Sequence, residues 1–416
     1  MPSTWTTSST AYRRTFSRPQ PLNQFSHRRM GEGRRLAIVS THPIQYYAPV
    51  FRALAEREGV DVKVFYSMES SGPGSHDAGF GQRVEWDLPL LDGYEYEFGC
   101  NLARHPSSSR FNGVHDPTLN SRIEAWGPDF ILVYGWSNRA HLAVLRRFKG
   151  RSTVLFRGDS TLLDERGGLR KGLRRLWLRW VYTHVDIALA VGTRSREYFE
   201  AMGLRADQVV VAPHSIDNER FSSRDEARLK AAAVWRQELG IPDDAVAFLF
   251  VGKLEANKAP VSLLEAFLAS CSSSSEHLVF VGSGPLEDDL RRMANERTHF
   301  LGFQNQSKIP TVYRLGDVLV LPSRSETWGL AVNEAMASSR AVIVSDRVGC
   351  AIDLVEPSVN GWVFTSSDVD ALKAVLSEAS AEGRGALLER GRRSAERIRR
   401  WSIERQVEVI ERVLRS

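Results

Sequence analysis

The sequence predicts an α/β protein with two doubly wound halves facing each other across a cleft, and three observations predict it. Short apolar runs rich in β-branched residues alternate with amphipathic stretches from residue 34 onward. That alternation breaks at Pro213-His214-Ser215-Ile216-Asp217 and starts again as a second series near Ala245. A chain of 416 residues is also too long for one ordinary domain and suits two of about 180 residues each.

Taken in order, residues 1–33 read as a disordered basic tail, rich in Ser, Thr and Arg and without apolar period. Its composition fits a transit peptide, and an over-long start assignment ahead of Met30 fits as well. The N-terminal half, 34–213, opens with strand 36–40, helix 46–57 and strand 60–66. Residues 67–116 carry Gly72, Gly74, Phe80, Trp86, Tyr94 and Tyr96 and read as an irregular excursion over one face. Alternation resumes with helix 123–126, strand 130–134, helix 141–148 and strand 153–156. A basic helix over 169–182 leads to strand 186–191, helix 194–202 and strand 209–212. Repeated strand–helix units of this kind give right-handed crossovers and a parallel sheet.

A linker ending in a helix covers 214–240, and the C-terminal half, 241–399, begins with strand 245–252. Helix 261–270, strand 278–282, helix 286–294, strand 299–302 and helix 309–315 follow. The wholly apolar run 318–321 reads as a buried strand that Pro322 ends. Trp328-Gly329-Leu330 opens the next helix, strand 341–344 follows, and helices are expected over 368–380, 384–399 and 402–415.

Composition narrows the function. Charged residues make up 25% and apolar residues 42%, as in soluble globular proteins. No apolar run approaches the roughly 18–20 residues that span a bilayer. The formal charge of +5 is contributed by Arg13, Arg14, Arg18, Arg28 and Arg29, so the rest sums to about zero, against nucleic-acid binding. Cys100, Cys271 and Cys350 are far apart, odd in number and without metal-ligand spacing, which suits a reducing, cytoplasmic compartment.

The stretch 323–352 carries the chemistry. Glu326 falls in the loop at a strand's carboxyl end, where ligands of open α/β sheets bind. Backbone amides at Gly329 and Leu330 have no partner within their own helix and favour an anion. Glu334 lies eight residues after Glu326, so both can flank one ligand. Carboxylates repel a phosphate, so they fit hydroxyl groups on either side of it, which describes a sugar, a diphosphate and a ribose. The plainer alternative is two solvated glutamates bordering an ordinary helix.

Lys253 and Lys258 stand five apart in a loop after another strand and are placed to neutralise a diphosphate in the same crevice. Gly282-Ser283-Gly284 ends the next strand; alone, such a pair of glycines marks a tight turn as readily as a phosphate loop. His42 and Gln45 follow the first strand, and Arg157-Gly158-Asp159 follows a middle one, with helix capping as the alternative for Asp159. Asp368-Val369-Asp370 begins a helix and is not read as a metal motif.

Glu326 and Glu334, with Trp328-Gly329-Leu330 between them, resemble the Glu-x7-Glu signature of retaining GT-B glycosyltransferases of the family-4 type. The resemblance runs from residue 34 onward and implies two Rossmann-like domains, acceptor first and donor second, with the terminal helix at 400–416 returning to the first. It implies that Lys253 and Lys258 grip the leaving nucleoside diphosphate, although relatives usually place Arg at the first position, and Lys loses the bidentate fork. Glu326 would accept from sugar hydroxyls and Glu334 from ribose. Trp328, Gly329, Leu330, Gly282 and Gly284 would lie near the donor, and Gly302 and Phe303 near its base.

Two departures stand out. The 40–46 loop lacks the glycines many relatives carry, and Arg157-Gly158-Asp159 replaces a sugar-contacting His. The resemblance implies a nucleotide-sugar donor, with uridine diphosphate as the usual carrier, and a carbohydrate or lipid-linked acceptor, without metal or other cofactor. A GT-B nucleotide-sugar epimerase and a non-catalytic nucleotide-sugar-binding protein are the alternatives; an epimerase needs acid/base carboxylates and histidines in the cleft. The basic helix, read over 169–180, fits either a peripheral membrane contact at the inner face or packing of its apolar side on the sheet, and packing is the preferred reading.

Overall fold

The computed structural model describes residues 33–416 except 69–74, 78–81, 85–86, 109, 164, 166–167, 223–224 and 272–274. The tail expected over 1–33 therefore lies outside the described residues, Gly33 apart, as does part of the irregular 67–116 segment with Gly72, Gly74, Phe80 and Trp86. The N-terminal half comprises β1 (Arg34–Ser40), α1 (Ala48–Ala55), β2 (Val60–Tyr66), β3 (Ser75–Asp77), β4 (Gln82–Val84), β5 (Glu95–Phe98), α2 (Leu119–Trp126), β6 (Phe130–Tyr134), α3 (Arg139–Phe148), β7 (Thr153–Gly158), α4 (Leu169–Tyr182), β8 (Ile187–Ala190), α5 (Thr193–Ala201) and β9 (Val209–Val211). Helices α6 (Asn218–Phe221) and α7 (Glu226–Glu238) follow. The C-terminal half comprises β10 (Val246–Val251), α8 (Pro260–Ser270), β11 (Glu276–Val281), α9 (Glu287–Met293), β12 (Thr298–Phe300), α10 (Ile309–Val312), β13 (Val318–Leu321), α11 (Leu330–Ala337), β14 (Ala341–Ser345), α12 (Ala351–Leu354), β15 (Gly361–Phe364), α13 (Val369–Ile398) and α14 (Ile403–Arg415).

Two parallel sheets result, of seven strands in the order β5-β2-β1-β6-β7-β8-β9 and six in the order β12-β11-β10-β13-β14-β15. Their central strands are buried on both faces: every residue of β6 and of β13 is buried. Alternate residues of β1 feed opposite cores, Leu36 and Ile38 to one and Ala37 and Val39 to the other. Such strands need helices on both sides. Strand order reverses between β1 and β6 and between β10 and β13, and each reversal opens a crevice at the carboxyl ends.

Two edge strands were not expected. β5 completes the edge of the first sheet, and its Glu-Tyr-Glu-Phe sequence, half exposed, lacks the apolar density of an inner strand. β15 adds an edge to the second sheet and, at four residues, is too short to carry a period. The helices expected at 368–380 and 384–399 are both present, parted at Gly383, whose φ of 73° breaks the helical geometry within α13. α14 packs Val407, Ile410 and Leu414 into the N-terminal core beside Phe51 and Leu54.

The preferred reading of the basic helix is corrected. Leu178, Val181 and Tyr182 of α4 face the core, whereas Leu173, Leu176, Trp177 and Trp180 are exposed. Only part of its apolar surface therefore covers the sheet.

The N-terminal half also holds a buried histidine that the sequence did not single out. Asn138 caps α3 by accepting from the His141 amide at 2.9 Å. The His141 ring joins Ser67 Oγ, 3.0 Å from Nε2, to the carbonyls of Tyr134 and Gly135, at 3.2 and 3.0 Å from Nδ1. Burial pushes its pKa down to about 4. An unfolded histidine takes its proton near pH 6.5, so this group's contribution is fully present above that pH and is lost as pH falls toward about 4. Denaturant titrations should show stability falling across that window by on the order of 3 kcal/mol from this site. His141→Asn should flatten the slope, and an unchanged slope would count against the assignment.

Candidate active site

The site begins where β13 ends. Gly329 starts α11 with a φ of 98°, and a Cβ there would lie 3.0 Å from Val348 Cγ1, so a residue without a side chain is required. The loop ahead of it is stitched to the loop after β14. The Glu326 amide donates to Arg347 O at 3.1 Å, the Gly349 amide to Glu326 O at 2.9 Å, and the Cys350 amide to Trp328 O at 3.0 Å. A Cβ on Gly349 would sit 1.9 Å from Thr327 O, so the two loops press together through a glycine that sequence reasoning passed over.

A third loop joins them from the end of β10. A 3-10 turn at Ala256–Lys258 brings Asn257 against this segment: its Nδ2 donates to Ser325 O at 2.7 Å and its carbonyl accepts from the Arg324 amide at 2.8 Å. Lys258 Nζ consequently donates to Glu326 Oε2, and the two side chains are 21% and 17% exposed. Two residues 68 apart in sequence, predicted for one ligand, thus meet directly.

The glycines after β10, β11 and β12 stand at one level, with Gly252 N donating to Val281 O at 3.0 Å and Gly282 N to Gly302 O at 2.8 Å. A Cβ on Gly282 would fall 1.9 Å from Gly252 O, and one on Gly284 2.5 Å from Leu254 O. Close approach of one loop to the next accounts for both glycines. Lys253 and Phe303 are half-buried beside this row.

Glu334 is buried in the second turn of α11, and its carboxylate is satisfied by phenols. Tyr313 donates to Oε2 at 2.7 Å from within the C-terminal half, and Tyr46 donates to Oε1 at 3.0 Å from the N-terminal half. Burial raises the Glu334 pKa, opposed by the Tyr313 hydrogen bond, the charge of Arg220 and the Tyr46 hydrogen bond. Neither tyrosine was a candidate: Tyr46 stands in the quoted 40–46 loop, but nothing in the sequence points to a partner 288 residues away. Tyr46→Phe should remove about 1.5–3 kcal/mol, as expected for a hydrogen bond to a charged group. A denaturation midpoint equal to wild type would show that this contact contributes nothing.

Further contacts cross between the halves. Thr327 Oγ1 donates to Asp159 Oδ2 at 2.7 Å, the Thr193 amide to Asp353 Oδ2 at 2.9 Å, and the Ser307 amide to Asp87 Oδ1 at 3.1 Å. Asp159 therefore reaches the Glu326 loop and caps no helix. Trp328 is corrected as a donor contact: 2% exposed, it lies between His214, at 5.9 Å, and Gly192, where a Cβ would approach it to 2.4 Å. Its ring has no surface left for a ligand.

Arg157 is likewise buried, donating to the carbonyls of Ala212 and Pro213 at 2.9 and 3.1 Å, so it pins β7 to the segment that follows β9. A cavity of about 180 Å³ nevertheless reaches it, over the carboxyl ends of β1, β6 and β7, with Thr41, Tyr47, Tyr134, Asp159 and His214 in its wall. The Tyr134 hydroxyl is buried there without a hydrogen-bond partner among the described residues. His42 and Gln45, half-buried in the loop after β1, do not line this cavity; the His42 Nδ1 lies 2.9 Å from Thr41 Oγ1. Among the described residues no cluster of three His, Cys, Asp or Glu side chains is arranged to hold a metal ion.

Comparison with known proteins bears on the family and the fold. Residues 43–214 match the glycosyl transferase 4-like domain, and residues 232–400 match the glycosyl transferases of group 1. An uncharacterized glycosyltransferase of Methanocaldococcus jannaschii is 34% identical over 136 residues, 31% of this chain and 35% of the relative. A D-inositol 3-phosphate glycosyltransferase of Xylanimonas cellulosilytica is 28% identical over 229 residues, 51% of this chain and 54% of the relative. The chain thus spans between a third and about half the length of these curated relatives. HepE of Anabaena, solved in complex with UDP and glucose, superposes with a TM-score of 0.66 at 18% identity over 92% of this chain and 100% of that one. The sucrose-phosphate synthase of Thermosynechococcus elongatus gives a TM-score of 0.67 at 19% identity, covering 92% and 98% of the two chains. The two family matches together take in most of the sequence, and the chain pairs a glycosyl transferase 4-like domain with a glycosyl transferases group 1 domain in a two-domain GT-B fold.

Proposed function

We propose that this protein is a retaining glycosyltransferase that moves a sugar from a nucleoside-diphosphate sugar, with UDP as the carrier, to an acceptor hydroxyl, without a metal ion. The observation that carries the reading is the meeting of Lys258 with Glu326 beside the Gly329 start of α11. An ammonium group and free helix amides suit a diphosphate, and the adjoining carboxylate suits the hydroxyls of the sugar. Lys253 would add a second positive charge. Glu334 is 3% exposed behind Tyr46 and Tyr313, so ribose hydroxyls would reach its oxygens only where they displace the Tyr46 hydroxyl of the N-terminal half. The reading is supported by HepE of Anabaena, a neighbour of this fold solved in complex with UDP-glucose.

As the glycosidic bond stretches, negative charge grows on the diphosphate, and groups already in place stabilise it more in the transition state than in the ground state. The acceptor oxygen attacks the anomeric carbon from the face that the nucleoside diphosphate leaves, as its bond to that carbon breaks, and the departing phosphate takes the acceptor's proton. Contacts across the seam exclude water and limit donor hydrolysis. The acceptor is a carbohydrate or lipid-linked precursor of surface polysaccharide or glycolipid, met in the cytoplasm at the inner membrane face. No helix among the described residues is long and apolar enough to cross a membrane.

Incubating the protein with a panel of nucleotide sugars and measuring diphosphate release, anomeric configuration and epimerised sugar tests this. Release with retained configuration supports it. Epimerised sugar without release would establish the epimerase, and tight donor binding without either product the non-catalytic alternative.

A further inference from the structure

We infer that α4 is a docking face for an anionic bilayer and that it sets the acceptor cavity at the membrane surface; this rests on the glycosyltransferase reading only for what the cavity receives. Leu173 is 71% exposed, Leu176 68%, Trp177 39% and Trp180 40%. At about 100° per residue these four positions form one stripe along the helix. It lies opposite Leu178, Val181 and Tyr182, which cover the sheet. Solvated helix surfaces rarely carry two tryptophans and two leucines together, and an apolar band bordered by cations is the pattern of helices that lie in a membrane interface.

Charge selects the occupant. α4 contains no acidic residue, and the exposed Arg174 and Arg179 border the stripe on opposite sides. Arg146 of α3 places its guanidinium 5.5 Å from the Trp180 ring and is itself exposed. Lys171 and Arg175 are partly neutralised by Glu165, on the other side of the helix. Arginines beside tryptophans favour lipid phosphates, with the rings at headgroup depth.

The face also connects to the proposed acceptor side. Trp177 packs edge-on against Trp136 at 4.7 Å, and Trp136 stands between Gly135 and Ser137, both in the wall of the 180 Å³ cavity. Docking by this stripe therefore brings the cavity next to the bilayer, where a lipid-anchored acceptor presents its hydroxyl.

Flotation of the full chain with phosphatidylglycerol vesicles, phosphatidylcholine vesicles and no vesicles tests the inference. Binding to the anionic vesicles should be at least tenfold tighter than to the zwitterionic ones and weaken with added salt. The double variant Leu176→Glu/Trp180→Glu should lose it by tenfold or more while keeping its circular dichroism and its rate of diphosphate release from donor alone. Absence of flotation, equal flotation of the variant, or a wild-type dimer that the variant dissolves without any vesicle binding would each overturn the inference. Failure of the glycosyltransferase reading is separate, since it appears as no diphosphate release and leaves flotation unchanged.

Discussion

Lys258→Ala should lower the rate of sugar transfer by about 10²–10³-fold, as removal of one preorganised charge-stabilising group does elsewhere, equivalent to about 2.7–4 kcal/mol. The loss should fall on kcat, because the ammonium group matters most once charge has developed on the diphosphate. Stability is measured alongside, since Lys258 and Glu326 are each only about one-fifth exposed and loss of the ammonium group leaves the Glu326 charge partly buried without its partner. Lys258→Arg keeps the charge and should recover part of the rate, whereas Glu326→Gln keeps the shape and loses the charge that orients Lys258. Stopped assays of diphosphate release across the three variants separate these roles. A Lys258→Ala rate within threefold of wild type would remove this residue from the chemistry.

Gly349→Ala should be as damaging without removing any polar group. The new Cβ would sit 1.9 Å from Thr327 O, a separation real Cβ atoms do not show, so the loop bearing Glu326 must move by more than 1 Å. A displacement of that size at a reacting centre costs about 10²-fold in kcat/KM. Overpacking of this kind also destabilises by about 1–3 kcal/mol. Gly385→Ala is the control: nothing lies within 4 Å of its Cβ, so it should be neutral or stabilising. Equal activity of Gly349→Ala and wild type would mean that the position of the Glu326 loop does not govern turnover.

Much of the molecule was legible from the amino acids. Apolar runs such as 130–134 and 318–321 are buried on both faces, which makes their strand character readable without a partner. Edge strand β5 escaped because its Glu-Tyr-Glu-Phe sequence is thin in apolar residues, and β15, Gly-Trp-Val-Phe, because four residues are too few to show a period. Glu326 and Lys258 were legible because each follows a strand end, and strand ends of a parallel sheet converge. Their direct pairing was not.

The chain's own order of residues determined the two parallel sheets, the break between them and the loops that bear charge at the strand ends, because period and punctuation act locally. Tertiary structure alone decided that Tyr46 reaches Glu334, that Trp328 closes the seam and that Arg157 pins β7. It also decided that half of α4 faces outward. Those outcomes depend on how two halves meet and which surface they leave uncovered, and contacts between residues up to 288 apart leave no local periodicity to read.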